Sequence, residues 1–306
     1  MHLLIPFAFC SGEGCAQALP KLALPRLTQL LSRLTPQSPD TADLFSLSTP
    51  HERALARALG LPGQDGLIPW AGLQAQASGA WGFITPCHWQ IATNHITLSG
   101  ATLPDFSEGE SRALMAAMQP YFEEDGIALR YEHPMLWLAQ GEIFGDLATA
   151  SLDRVAGRNV EHWMPRSPQA APLRRLQNEM QMLLYTHPVN DARAVRGVLP
   201  VNSFWLSGTG SLGTVRKPAA TDAKVVDTLR APALTEDWLA WMQAWHALDA
   251  TECAALLRAI DQGQPVQLTL CGEASAQTFV SQPQALLKRF MNLFGIQPAY
   301  HMLEKL

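Results

Sequence analysis

The feature that most constrains the fold is a buried strand followed at once by a glycine-containing turn and then by a helix. Residues 3–9, LLIPFAF, form a continuous apolar run, and CSGEGC follows as a turn. Leucines then recur at helical spacing, at positions 24, 27, 30, 31 and 34. This order of elements opens an α/β domain, so we predict an α/β fold. Residues 3–9 are interpreted as a strand and not as a signal peptide, because no Lys or Arg precedes them.

From about residue 81 the sequence changes character. WGFITPCHWQIATNHITL is strand-like, FSEGESRALMAAMQPYF is helical, and GIALRYEHPMLWLAQ predicts two strands with a break near His133. PLRRLQNEMQMLLYTH predicts a strong helix, VNSFWLSG predicts a strand, and helices and strands of the first kind return after residue 216. We therefore predict a core formed by residues 1–80 and 216–306, and an inserted α+β domain at 81–215.

Composition limits the classes of function. Of the 306 residues, 47% are apolar and 16% are charged, which is typical of a folded chain and not of a disordered one. The net charge is −5 and no long basic run occurs, so we expect no nucleic-acid partner. No run of about 18 apolar residues occurs, so no membrane span is expected. Five cysteines without a CxxC motif favour a reducing, cytoplasmic location.

The segment at 185–210, YTHPVNDARAVRGVLPVNSFWLSGTG, carries the most distinctive set of polar residues. Its polar residues follow a predicted helix end, where His and Arg offset the helix dipole and the glycines make a turn. The same side chains could instead bind a phosphate or carboxylate through charge-assisted hydrogen bonds. From the residues alone, capping and turning are the simpler interpretation.

The same segment resembles a known family. HPVNDARAVRGVLPVNSFWLSGTG is similar to a pattern of the archaeal-type, cofactor-independent phosphoglycerate mutases, and ITLSGATLPDFSEGESRALMAAM is similar to an upstream segment of that family. The resemblance covers about 95–215. RNVEHWMP, LQNEMQMLLYTHPVN and SFWLSGTG also resemble a bacterial subgroup labelled phosphoglycerate mutase or regulatory protein of a pathogenicity-factor cluster.

The resemblance implies an alkaline-phosphatase-like three-layer core with the inserted domain, two divalent metals (Mn or Zn) and a Ser nucleophile. The metals of such a site neutralise phosphoryl oxygens, and their ligands must be Asp and His. The first strand here runs into FAFCSGEG without an Asp, and the late strand VQLTLCGEAS has Gly272 and Glu273 where the family has Asp-His. His246 and Asp249 occur in the wrong order for the family's Asp-x-x-x-His stretch, and Ser207 stands where the family has Arg. Losses at three segments predict that no metal is held.

The nucleophile position that the resemblance implies is Ser48 or Thr49. Both residues are also N-cap candidates, and Glu52 completes a capping-box pattern with Thr49, so the cap is the favoured interpretation. An active phosphoglycerate mutase or phosphatase is the alternative hypothesis. It would need two metals in a rearranged site built from Glu13, His51, Asp249, Glu273 or His301.

We therefore predict a phosphoglycerate-mutase-like protein with a degenerate metal site and no cofactor. Its partner would be a phosphorylated or acidic small molecule, or a protein. The candidate anion contacts between the domains are His187, Asn190, Arg193, Asn202 and Arg158. A third hypothesis is an interaction protein that uses the tryptophan helix or the aromatic strand of the inserted domain. Exposure of the helical stripe of Trp238, Trp241 and Trp245 would favour it, although core packing is the simpler interpretation of that stripe.

Overall fold

A computed structural model describes residues 1–213, 223–281 and 298–306. Within them the chain divides into two compact units. Unit 1 comprises Met1–Leu44, Thr49–Leu59 and Ala220–Leu306, and unit 2 comprises Phe45–Ser48 and Gly60–Ala219. The predicted boundary at 216 lies outside the described residues, as does PQALLKRFMNLF, whose sequence predicts a further helix.

The strands are, in chain order, β1 (His2–Ile5), β2 (Thr35–Pro36), β3 (Asp40–Thr41), β4 (Gly79–Cys87), β5 (Trp89–Ile91), β6 (Ile96–Leu98), β7 (Ala128–His133), β8 (Leu136–Gln140), β9 (Ser203–Leu212), β10 (Ala223–Val225), β11 (Gln267–Cys271) and β12 (Ser275–Val280). The α-helices are α1 (Glu13–Ala18), α2 (Pro25–Arg33), α3 (Pro50–Leu59), α4 (Trp70–Ala75), α5 (Glu108–Glu124), α6 (Leu152–Val155), α7 (Ala171–Tyr185), α8 (Pro188–Val195), α9 (Arg230–Leu234), α10 (Trp238–Leu248), α11 (Ala254–Asp261) and α12 (Tyr300–Leu303). Short 3₁₀ turns lie at Leu19–Lys21, Glu142–Gly145, Val160–His162 and Pro168–Ala170.

Unit 1 is a mixed sheet with helices on both faces. Its strand order is β10-β1-β11-β12-β2, with β3 also paired to β12. Strands β10, β1 and β11 are parallel, and β12 runs antiparallel to β11. Successive side chains of β1 point to opposite faces: Leu3 and Ile5 pack with α2, α10 and α11, and Leu4 packs with Ala54 of α3. This arrangement is three-layered, and the predicted α/β class is confirmed.

Unit 2 is built on an antiparallel sheet of order β7-β8-β4-β9, with a separate β5-β6 hairpin. Helices α5 and α7 cover the four-stranded sheet through an apolar cluster that includes Phe122, Trp137, Met180 and Phe204. The predicted strand pair with a break near His133 corresponds to β7 and β8, and the predicted helices correspond to α5 and α7.

The sequence LTEDWLAWMQAWHALDATECAALLRAID predicts a helix in two pieces, split near Asp249-Ala250-Thr251. In the structure a π-helical segment, Asp249–Cys253, joins α10 to α11 there without a loop. One extra residue in the helical turn keeps the two helices continuous while changing the face that each presents.

Candidate functional site

The candidate segment at 185–210 contains a helix that the sequence interpretation missed. His187 is the N-cap of α8, its ring Nδ1 lies 3.2 Å from the backbone nitrogen of Val189, and Pro188 occupies the first helical position. The polar residues expected to follow a helix end therefore form a second helix, because a proline at the first position of a helix costs no hydrogen bond and favours helix initiation.

Asn190 is buried, and its amide forms hydrogen bonds to two stretches of backbone, at Leu184 and at Val201. Its Nδ2 donates to the carbonyl oxygens of Leu184 at 2.8 Å and Val201 at 2.7 Å. Its Oδ1 accepts from the backbone nitrogen of Val201 at 2.8 Å. Both amide protons are thus used in closing the loop between α8 and β9, which gives Asn190 a structural role.

Arg193 is fully buried, with a relative exposure of 0%. Its guanidinium donates to the carbonyl oxygens of Leu199 at 2.8 Å, Pro104 at 3.1 Å and Asp105 at 3.2 Å. Its charge is balanced by Glu110, whose Oε2 lies 3.3 Å from Nη1. A guanidinium enclosed by these partners ties α8 to the segment before α5, and an incoming anion would have to displace them.

Glu110 joins Arg193 to a second arginine. It also forms an ion pair with the exposed Arg196, and it completes a capping box with Ser107 at the start of α5. Burial alone would raise the pKa of the Glu110 carboxyl, but hydrogen bonds from Ser107 and the charges of the two arginines outweigh burial and lower it. The carboxylate is therefore held ionised between α5 and α8.

Asn202 and Arg158 complete the predicted set. The Asn202 side chain accepts from the backbone nitrogen of Trp89 at 2.7 Å and donates to its carbonyl oxygen at 2.9 Å, which ties β5 to the start of β9. The backbone carbonyl of Arg158 accepts from Leu98 in β6. All five predicted contacts belong to unit 2. The structure gives Asn190, Arg193 and Asn202 structural partners there, and contact of the five residues with an anion stays a prediction.

The resemblance implies metal ligands at the ends of strands β1 and β11 in unit 1. After β1 the chain turns at Phe7, a non-glycine residue with φ of 55°, and the next nitrogen, that of Ala8, donates to Cys271 at the end of β11. The following loop brings Ser11 to Glu273, whose Oε2 accepts from both the backbone nitrogen, at 3.2 Å, and the hydroxyl of Ser11. The Glu273 carboxylate is thus used in joining two loops.

Gly272 has no room for a side chain. A Cβ placed on it would lie 2.6 Å from the carbonyl oxygen of Leu306 and 2.7 Å from the Leu306 Cβ. The Leu306 carbonyl is itself fixed, because it accepts from the backbone nitrogen of Ser275 at 3.2 Å and from its hydroxyl at 2.6 Å. The position where the family has an Asp is therefore occupied by the packed backbone of Leu306.

Thr49 is an N-cap, as predicted. Its backbone nitrogen and hydroxyl donate to Oε2 of Glu52 at 2.8 Å and 3.0 Å, and the nitrogen of Glu52 lies 3.4 Å from the Thr49 hydroxyl. The hydroxyl also lies 3.1 Å from Nε2 of His51. The capping box at the start of α3 is confirmed.

Ser48 belongs to unit 2, and its acidic partner is Asp65, whereas that of Thr49 is Glu52. Its backbone nitrogen donates to Oδ1 of Asp65 at 2.8 Å, and its hydroxyl accepts from the nitrogen of Gly66 at 2.8 Å. Burial alone would raise the pKa of Asp65, but hydrogen bonds from Ser48, Ser46 and Leu47 outweigh burial and lower it. The hydrogen bonds of Ser48 and Asp65 thus fix the conformation of the loop that precedes α3.

The five residues proposed for a rearranged metal site have separate structural contacts in unit 1. Asp249 is buried and caps α2, because its carboxylate accepts from the nitrogens of Leu27 at 2.7 Å and Arg26 at 3.3 Å. Glu13 accepts from Gln17 at 3.1 Å, and the His301 ring stacks on Tyr300 with 4.1 Å between centroids. Among the residues that the structure describes, no group of three or more His, Cys, Asp or Glu side chains is placed to hold a metal ion. These residues do not fit a two-metal site.

The tryptophan stripe of α10 faces the core of unit 1. Trp241 and Trp245 are fully buried, Trp238 is partly buried, and the Trp241 Nε1 donates to the carbonyl of Phe7 at 3.0 Å. Core packing is therefore confirmed, and the hypothesis of an exposed stripe as a partner surface is wrong.

Across the described ranges, no helix has the length and apolar character needed to cross a membrane.

Comparison with known proteins identifies relatives by sequence. A Geobacter sulfurreducens protein named probable 2,3-bisphosphoglycerate-independent phosphoglycerate mutase is 29% identical over 108 residues, which are 34% of this chain and 26% of that protein. A Methanosarcina barkeri 2,3-bisphosphoglycerate-independent phosphoglycerate mutase is 24% identical over 127 residues, which are 39% of this chain and 31% of that protein. The chain thus aligns with about a quarter to a third of the length of these relatives. No protein-family model matches it.

Two solved structures align with this chain. The cofactor-independent phosphoglycerate mutase from Thermoplasma acidophilum aligns over 100% of this chain and 98% of its own, with 13% identity and a TM-score of 0.36. A protein from Pyrococcus horikoshii aligns over 92% of this chain and 87% of its own, with 9% identity and a TM-score of 0.49. The two curated sequences confirm the resemblance found in the motif: over 34–39% of its length, this chain is similar in sequence to 2,3-bisphosphoglycerate-independent phosphoglycerate mutases.

Proposed function

We propose that this protein is a phosphoglycerate-mutase-like protein with a degenerate metal site, and that it acts as a non-catalytic binding or regulatory protein. Its partner is a phosphorylated or acidic small molecule, or a protein. It works without a cofactor, binds neither nucleic acid nor membrane, and resides in the cytoplasm. The cytoplasmic location is supported by the five cysteines, none of which is in a disulfide.

The observation that carries this proposal is the packing around Gly272. An Asp or His ligand needs a side chain, and a side chain at Gly272 would meet the Leu306 carbonyl and Cβ. The neighbouring Glu273 is engaged by Ser11, and Asp249 is engaged by the first turn of α2. Divalent cations such as Mn and Zn need several Asp or His ligands converging on one point, and these residues supply none in that arrangement.

Metal content is the first test. The purified protein is incubated with Mn or Zn, desalted and measured by mass spectrometry, and we expect much less than one equivalent per chain. Isomerisation of phosphoglycerate is assayed on the same samples, and calorimetry with phosphoglycerate and with inorganic phosphate measures binding. Two tightly held metal equivalents, or turnover that chelation abolishes, would refute the proposal. Binding of phosphoglycerate without turnover supports it.

One contact favours a second candidate, an active phosphoglycerate mutase or phosphatase. The Thr49 hydroxyl lies 3.1 Å from the His51 Nε2, so His51 could accept its proton in place of Glu52 and activate the oxygen as a nucleophile toward phosphorus. The matched variants are Thr49→Ser, which keeps both the cap and the hydroxyl, and Thr49→Asn, which keeps a cap without a hydroxyl. Turnover in Thr49→Ser and its loss in Thr49→Asn would establish the enzyme. Equal behaviour of the two variants leaves Thr49 as a cap alone.

A further inference from the structure

Helix α8 in unit 2 has one buried face and one exposed face. The buried face carries Asn190 and Arg193. The opposite face, which we call the outer face of α8, has exposed residues at helical spacing: Pro188, Asp191, Ala192, Val195 and the C-cap residue Arg196. Along the helix, the outer face therefore presents an acid, then a small and an apolar side chain, and then a base.

Large apolar side chains are concentrated in the stretch that contains this face. Across the described residues ten large apolar side chains are exposed, and four of them lie between positions 182 and 199, so they are not scattered evenly along the chain. Their exposed fractions are 90% for Val195, 83% for Tyr185, 76% for Met182 and 44% for Leu199. Exposed apolar residues that occur together are typical of surfaces that contact another protein molecule, whereas single ones need no explanation.

The two charged residues of the outer face are opposite in sign and lie at opposite ends of the helix. In the part of the chain that the structure describes, Asp191 forms no ion pair. Arg196 pairs with Glu110, yet its side chain remains 46% exposed. A complementary partner would place a base against Asp191 and an acid against Arg196, with apolar contact between them.

A second copy of this chain meets that requirement when its α8 runs antiparallel. With a two-fold axis midway between positions 193 and 194, Asp191 of each copy lies opposite Arg196 of the other. Ala192 of each copy then lies opposite Val195 of the other, so a small side chain leaves room for a larger one. A parallel arrangement would place Asp191 against Asp191 and Arg196 against Arg196, so the charges select the antiparallel one.

We propose that the outer face of α8 is the contact surface of a homodimer, in which the α8 helices of two copies pack antiparallel about a two-fold axis. Because α8 has only 8 residues, the contact is small, and the dissociation constant is expected on the order of 10 µM. The dimer is independent of the proposed ligand-binding function, since it uses the face of α8 opposite to Asn190 and Arg193.

Sedimentation velocity of the full chain tests the dimer directly. Between about 1 µM and about 200 µM, we expect the weight-average mass to rise from the monomer value toward the dimer value. A chain that stays monomeric at every concentration would overturn the proposal and would leave the outer face of α8 to a different partner.

A matched pair of variants locates the contact. Val195→Glu places a charge in the middle of the contact and should weaken association at least about tenfold, because the carboxylate loses water without gaining a partner. Ile91→Glu changes an apolar residue that is 66% exposed elsewhere in unit 2, and it should leave association unchanged. Equal association of the two variants would show that the contact lies elsewhere on the chain.

Charge reversal tests the antiparallel arrangement. Asp191→Arg alone would oppose arginines at both ends of the contact, and Arg196→Asp alone would oppose aspartates, so each variant should associate at least about tenfold more weakly than the wild type. An equimolar mixture restores both pairs of opposite charge and should form a heterodimer, and a mixture that stays monomeric would refute this arrangement. Thermal unfolding shows that each variant is folded. If Arg196→Asp does not fold, since it also loses its pair with Glu110, Asp191→Arg decides: association as tight as in the wild type would refute the arrangement.

Discussion

The two units use their polar residues in contrasting ways. In unit 2 the motif that resembles the mutases is present, yet Asn190 and Arg193 are buried and bonded to backbone carbonyls. In unit 1 the strand ends where ligands are expected carry Gly272, packed on Leu306, and Glu273, bonded to Ser11. The motif of unit 2 is therefore explained by the structural hydrogen bonds of its polar residues. In unit 1, the positions expected to bind metal are used instead for packing and for contacts between loops.

The largest expected effect tests whether Arg193 is structural. Arg193→Met leaves the Glu110 carboxylate and three carbonyls without their buried partner, so we expect the free energy of unfolding to fall by about 3–5 kcal/mol. Arg196→Met removes the exposed partner of the same carboxylate and should cost less than about 1 kcal/mol. Urea unfolding of both variants measures the difference. Similar, small losses for both would show that Arg193 is not a structural residue of unit 2.

The next effect concerns Asn190. Asn190→Ala leaves the buried N–H and carbonyl of Val201 without the Asn190 side chain and removes one of two donors to the Leu184 carbonyl, so we expect a loss of about 2–3 kcal/mol. The matched control is Asn178→Ala on the exposed face of α7, which should stay within about 0.5 kcal/mol. If Asn190→Ala is as stable as the wild type but no longer binds an anion, Asn190 is a ligand contact. The contrast drawn between the two units would then not hold.

A smaller effect is expected in unit 1. Asp249→Ala removes the acceptor for two backbone nitrogens at the start of α2, so the free energy of unfolding should fall by about 1–2 kcal/mol. The control, Asp261→Ala, breaks an exposed pair with Arg33 and should cost under about 1 kcal/mol. Asp249→Asn keeps a capping oxygen and should lie between them. A loss of bound metal in Asp249→Ala would instead restore the enzyme hypothesis.

The smallest effect is a pH dependence of unit 2. The pKa of Glu110 is lowered from its usual 4.5, so its contribution to stability is present above that pH and is lost as the pH falls through the folded-state pKa. Glu110→Gln should therefore flatten the decline in stability below about pH 4.5, whereas Glu108→Gln, at an exposed position, should leave it unchanged. Unfolding midpoints at several acidic pH values measure this slope, and an unchanged slope in Glu110→Gln contradicts the assignment.

Much of the local structure was predictable. In the capping box of α3, Glu52 lies three positions after Thr49, and the same spacing recurs at Ser107 and Glu110. The alternation and periodicity of apolar residues predicted the strand pair around His133 and the helix at 171–185, because a strand or helix buries one face of its own sequence. One local signal was overlooked: His187 followed by Pro188 is a helix start, which the polar composition of the segment concealed.

The sequence by itself determined the α/β class, most helices and strands, the caps and the relationship to the mutases, since these depend on neighbours within a few residues or on the motif. Only the tertiary structure decided the roles of the candidate residues. Arg193 donates to Pro104, 89 positions away, and Gly272 lies against Leu306. Contacts between such distant segments depend on how the whole chain packs. The residue type therefore indicates which partners a side chain could bind, and the tertiary structure determines which of them it contacts.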